Sequence, residues 1–105
     1  MQFIIIARDG EDEGALARRM AARDSHIAYS RMAAKTGEQL MAAAMLNGNG
    51  DMNGSVMVVE FENIEAVQAW LDKEAYITGD VWKDVQIIPC KVAPAFQNLT
   101  KAENS

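Results

Sequence analysis

His26 is the only histidine in the chain. An imidazole is the one side chain whose unperturbed titration falls between about pH 5 and 8, which makes His26 the first candidate for moving a proton. A carboxylate holding one ring nitrogen would leave the other free to act as a base. Asp9, just past the end of an apolar first segment, is the candidate carboxylate. Ser55, at the start of another apolar segment, could add a hydrogen bond to a ligand. No second histidine or cysteine stands at a metal-ligand spacing, so neither a zinc site nor any other metal or cofactor is expected. Asn47 to Gly54 is glycine-rich but lacks the lysine and the following helix of a phosphate loop. No serine-centred nucleophile elbow occurs.

Each candidate also has a plainer reading. Asp9 precedes Gly10, and Asp-Gly is a common turn or helix-cap pair. A lone histidine in a helix is often structural or simply exposed. Ser55 follows Gly54 as an ordinary turn-to-strand residue. Trp70 and Tyr76 read as core or interface aromatics, the seven methionines as adaptable core filler, and Cys90 as a small buried hydrophobe.

The elements that must position these residues follow from patterning. Gln2 to Ala7 is almost continuously apolar and Ile-rich, as in a strand covered on both faces. Glu11 to about Lys35 has helical composition. Leu16 with Met20 and Ala28 with Met32 form one-turn apolar pairs there. Asp24-Ser25 fits either a bend or a fresh N-cap, so one bent helix and two short ones are both open. Gly37 sits where a C-terminal glycine belongs. Gln39 to Leu46 is alanine-rich, but its position and length favour a strand. Asn47 to Gly54 is a hairpin loop. Ser55 to Phe61 alternates as a strand. Asn63 then caps a second helix whose stripe is Ile64, Val67, Trp70 and Leu71. Tyr76 to Trp82 reads as a loop or short turn. Val85 to Ile88 is the last strand, with Pro89 pointing to a strand end or a sheet edge.

This order, β-α-β-β-α-β, is the split pattern of an α+β ferredoxin-like sandwich. Both helices of such a fold cover one face of the sheet. The strands are apolar on both faces, Phe3 and Ile5 against Ile4 and Ile6, and Val56 and Val58 against Met57 and Val59, so one set would lie bare and a second copy is expected to cover it as a homodimer. The chain has 105 residues, enough for one domain, read as residues 1–95 with a polar tail over 96–105. Fifteen acidic residues against ten basic ones, a formal charge of -5, argue against nucleic acid or an anionic membrane as partner. No apolar run approaches a membrane span. The apolar start lacks a basic leader, so a cytoplasmic location is the default expectation.

The residues resemble the YciI-like (YCII-related) family over positions 1 to about 95. The resemblance is carried, in order, by Ala7-Arg8-Asp9 after the apolar first strand, Arg23-Asp24-Ser25-His26, Gly37, Gly54 to Glu62, Ala69-Trp70, and Tyr76 with Val81. It implies a dimeric α/β barrel with a small-molecule pocket. A His–Asp pair and a serine would line it, falling here on His26, Asp9 and Ser55. It also implies possible elimination, dehalogenation or isomerisation on a small, hydroxylated aromatic molecule. The rival readings are a non-catalytic ligand-binding module and a plain dimerisation domain. The chain departs from the family pattern in three places. Ala43-Ala44 replace a common Gly-Pro pair, the connection from Leu46 to Gly54 is short, and Ala75 replaces a common proline before Tyr76.

Overall fold

The computed structural model describes residues 1–97. Of the expected tail over 96–105, residues 98–105 lie outside the described residues. Strand β1 (Gln2–Asp9), helix α1 (Ala15–Thr36), strands β2 (Gln39–Leu46) and β3 (Met52–Glu60), helices α2 (Ile64–Asp72) and α3 (Ala75–Thr78) and strand β4 (Trp82–Cys90) follow in order. The four strands form one sheet in the order β2-β3-β1-β4, and every neighbouring pair is antiparallel. This is the ferredoxin-like α+β sandwich. The expected loop before the last strand contains the short helix α3, and β4 begins earlier than patterning suggests, at Trp82.

Alternation along the strands sorts the two faces of the sheet. Phe3, Ile5, Ala7, Met57 and Val59 are fully buried beneath the helices, together with Val67, Leu71 and Val81. Burying a side chain of the size of Phe3, Ile5 or Val59 is worth about 1.5–3 kcal/mol relative to leaving it exposed. Their neighbours Ile4, Ile6, Val56 and Val58 are only half-buried on the opposite face. Met41 and Ile88, which flank them across the sheet, are each 41% exposed. Pro89 is accommodated because β4 is an edge strand, where a missing amide hydrogen can face outward.

Helix α1 is a single unbroken helix through Asp24-Ser25. Gly37 ends it with φ at 84°, and its amide is offered to the carbonyls of Ala33 and Ala34. The apolar pairs read from its sequence do not face the sheet. Leu16, Met20 and Met32 are exposed, whereas Ala15, Arg19 and Ala33 are buried, so not all seven methionines are core filler. The inner face of α1 is instead given to polar side chains, and these form the candidate site. At the start of α2, the Asn63 side chain accepts the Ala66 amide at 2.9 Å, as its N-cap role requires.

Candidate functional site

Two buried carboxylates organise the space between α1 and the sheet. The first is Asp9, the last residue of β1, beside a register shift at Arg8/Asp9 that sets it opposite Trp82. Its oxygens accept from Arg19 Nη1 at 2.9 and 3.2 Å. Both side chains are almost wholly buried. Arg19 Nη2 donates to Ser55 Oγ at 3.1 Å. Burial pushes the Asp9 carboxyl above its ordinary range, against the opposing pull of the Arg19 charge and its hydrogen bond.

The second is Glu74, which is fully buried at the N-cap of α3. Its Oε1 accepts the Tyr76 amide at 3.2 Å and lies 2.8 Å from His26 Nδ1. Because Oε1 already receives the Tyr76 hydrogen, it acts as an acceptor, and the network assigns Nδ1 as the protonated nitrogen. His26 Nε2 has no hydrogen-bond partner among the described residues. The Glu74 Oε2 atom is buried and also unpartnered.

Tyr76 joins the two arrangements. Its ring stacks on the His26 ring with centroids 3.9 Å apart and an interplanar angle of 12°. The Arg19 guanidinium carbon lies 4.6 Å from the same Tyr76 centroid, a cation–π distance. Trp82 meets both rings edge-on. Burial raises the Tyr76 phenol above its ordinary titration range, with Arg19 and then Arg23 opposing.

The expected Asp9–His26 pair is therefore not formed: His26 bonds Glu74, and Asp9 bonds Arg19. The reason is the continuity of α1. Arg19 and His26 are seven residues apart on one helix, about 10 Å along its axis. Arg19 consequently meets the end of β1 while His26 meets α3. Ser55 does join Asp9, through Arg19. Sequence reasoning missed Arg19, Glu74 and Tyr76. A usable signal existed, since residues seven apart share a helix face, and Glu74 two places before Tyr76 can cap a short helix.

These groups open on a cavity of about 360 Å³, within the size range of small-molecule sites. Its α1 wall carries Arg19, Arg23, His26 and Arg31, and its sheet wall carries Ala42, Ala43, Ala44, Ser55 and Met57. Ala43-Ala44 thus lie on the wall itself. The close packing of β1 and β3 behind Ser55 requires Gly54, where a Cβ would come within 2.7 Å of the Ala7 carbonyl oxygen. Among the described residues, no three His, Cys, Asp or Glu side chains gather at metal-binding distance. No described helix is long and apolar enough to cross a membrane.

The sequence matches the YCII-related domain over residues 1–91. Protein YciI of Escherichia coli O6:H1 is 32% identical over 97 residues, spanning 87% of this chain and 97% of that protein. An uncharacterized protein of Haemophilus influenzae is 28% identical over 98 residues, 87% of this chain and 97% of its own length. Among solved structures, 5-chloro-2-hydroxyhydroquinone dehydrochlorinase (TftG) of Burkholderia phenoliruptrix AC1100, in complex with 2,5-dihydroxybenzoquinone, superposes with a TM-score of 0.78. It is 19% identical and covers 90% of this chain and 98% of its own. Protein Atu4242 of Agrobacterium tumefaciens gives a TM-score of 0.51 at 15% identity, covering 92% of this chain and 98% of its own. At these identities the two structures share the fold.

Proposed function

The chain belongs to the YCII-related family, and on that premise we propose that it is a homodimeric small-molecule enzyme using His26 as its acid–base group. The observation that carries this reading is His26 itself: Nδ1 is held by Glu74, Nε2 has no partner among the described residues, and His26 lines the cavity. Such a ring removes a proton through Nε2. In an elimination, the electron pair of the broken C–H bond becomes a new double bond and the leaving group departs with its own bonding pair. In an isomerisation, the same ring returns the proton to a different carbon. The dehydrochlorinase named among the structural neighbours supports the first class. A hydroxylated aromatic substrate fits the cavity's size.

Asp9 and Ser55 serve this site through Arg19. Asp9 fixes the guanidinium. Ser55 Oγ accepts from Arg19, has no acceptor for its own hydroxyl hydrogen among the described residues, and can donate it to a ligand oxygen. Tyr76, packed against both His26 and Arg19, keeps the two groups in fixed relation.

The dimer rests on the half-covered face of the sheet, where Ile4, Ile6, Val56 and Val58 lie in one patch. A second copy placed on this face would remove that apolar area from water. Sedimentation at micromolar concentration should give a dimer, and Val58→Asp should dissociate it before unfolding it. A monodisperse folded wild-type monomer would contradict the assembly.

A thermal-shift screen of phenolic and dicarboxylic compounds, followed by product analysis, tests the activity. A ligand that binds the native state raises the melting temperature by mass action. The expected result is a stabilising compound that is converted by the wild type and recovered unchanged with His26→Gln. Binding without conversion would make the protein a ligand-binding module instead.

A further inference from the structure

We propose that the cavity selects a carboxylate-bearing ligand, with its negative charge against Arg23 and Arg31 and its reacting carbon at His26 Nε2. The inference rests on reading His26 as the proton-transfer group, and it adds the chemical class of the molecule bound there.

The charge on the cavity wall is the opposite of the charge on the chain. The whole protein carries a formal charge of -5, yet the cavity is lined by three arginines and His26, with no aspartate or glutamate among its lining residues. Asp9 balances Arg19. Arg23 and Arg31 have neither an ion pair nor a hydrogen bond among the described residues, whereas Arg18 meets Asp12 and Lys83 meets Asp80. Two cations without an ion pair among the described residues therefore face a cavity that has no acidic lining residue, and a cleft lined by one sign of charge concentrates the opposite sign.

Helix geometry makes the two arginines act together. Arg23 and Arg31 each stand four residues from Ile27, so they lie on one face, about 12 Å apart along the axis. They bracket His26 from either side. A planar guanidinium fork matches a carboxylate's two oxygens. Opposite them, Ala42 and Ala44 add a small apolar surface, suited to the carbon skeleton of such an acid rather than to a second polar group. Arg19 adds a buried Nε–H with no acceptor among the described residues, a donor whose mismatch a ligand oxygen could relieve.

The test is a titration of the full chain with benzoate and with its uncharged isostere benzamide, followed through the arginine Nε–H and His26 ring resonances. Benzoate is expected to shift Arg23, Arg31 and His26, and benzamide to bind at least about tenfold more weakly. The double substitution Arg23→Gln with Arg31→Gln should weaken benzoate binding by about tenfold or more, with an unchanged thermal melt because both side chains are exposed. His26→Gln should keep the binding. Equal affinity for benzoate and benzamide, with His26 still shifting, would overturn selection of an anion and leave the proton-transfer reading standing. Inorganic phosphate binding more tightly than benzoate would overturn the choice of a carboxylate. No shift with either compound would overturn both the anion and the cavity as a ligand site.

Discussion

Asp9 and Glu74 are both buried carboxylates against α1, but they leave their partners in opposite conditions. Asp9 meets a permanent cation, and both of its oxygens are occupied by Arg19. Glu74 meets a titratable ring through one oxygen, and Nε2 on the far side of that ring has no hydrogen-bond partner among the described residues. The first arrangement is closed and holds the site together. The second is open and is the half proposed to exchange a proton. Tyr76 touches both, so the closed half packs directly against the open half.

The strongest way to break this contrast is to remove the cation from the closed half. Arg19→Met leaves Asp9 as a buried, uncompensated charge, which should cost about 3–5 kcal/mol in urea denaturation. Asp9→Leu combined with Arg19→Met should recover much of that loss, because neither charge then remains buried. A loss below about 1 kcal/mol for Arg19→Met would place the pair in the category of weak surface bridges.

The open half should respond in function before it responds in stability. Glu74→Gln keeps an acceptor for Nδ1 and for the Tyr76 amide but replaces the charge-assisted hydrogen bond to the ring with a neutral one. Stability should fall by about 1 kcal/mol. Turnover of any substrate found for the wild type should fall on the order of 100-fold. The reverse pattern, with a large stability loss and intact turnover, would make Glu74–His26 a purely structural pair.

The smallest effect lies in the pH dependence of stability, and its sign separates buried from exposed carboxylates. Asp9 is raised above its ordinary value of 3.8 by burial. In the window just above 3.8 the folded state therefore binds more protons than the unfolded state. This carboxyl's contribution to stability falls as pH rises through that window. Asp12 is exposed, and Arg18 holds it well below the same ordinary value, chiefly through two hydrogen bonds. Its contribution is present above 3.8 and is lost as pH falls below it. Denaturation between pH 2 and 6 of Asp9→Asn and Asp12→Asn, each compared with wild type, should show differences of opposite slope. Like slopes would contradict the contrast.

Much of the frame was legible because it is local. Gly37 marks the end of α1 and Asn63 the second helix start, and the hairpin falls within Asn47 to Gly54, although β3 already begins at Met52 inside that expected loop; each signal acts through backbone conformation or capping within a few residues. Alternation in β1 and β3 sorted the two faces of the sheet. The pairing inside the site was not legible, because it depends on a non-local fact. Asp24-Ser25 could have broken α1, and only an unbroken helix carries His26 away from Asp9 and over to Glu74. The exposed positions of Met20 and Met32 have the same origin: α1 turns its polar stripe of Arg19, His26 and Ser30 inward, so periodicity of apolar residues points to the wrong face. His26 and Ser55 both line the cavity, whereas Asp9 reaches it through Arg19.

The central claim is that His26 presents a free Nε2 to the cavity because Glu74 holds its Nδ1 hydrogen. Long-range proton–nitrogen NMR of the neutral ring measures this directly. The expected spectrum has Nδ1 protonated, Nε2 bearing only its lone pair, and this tautomer lost in Glu74→Ala. A ring protonated on Nε2, or one whose tautomer ignores the Glu74 substitution, would contradict the account.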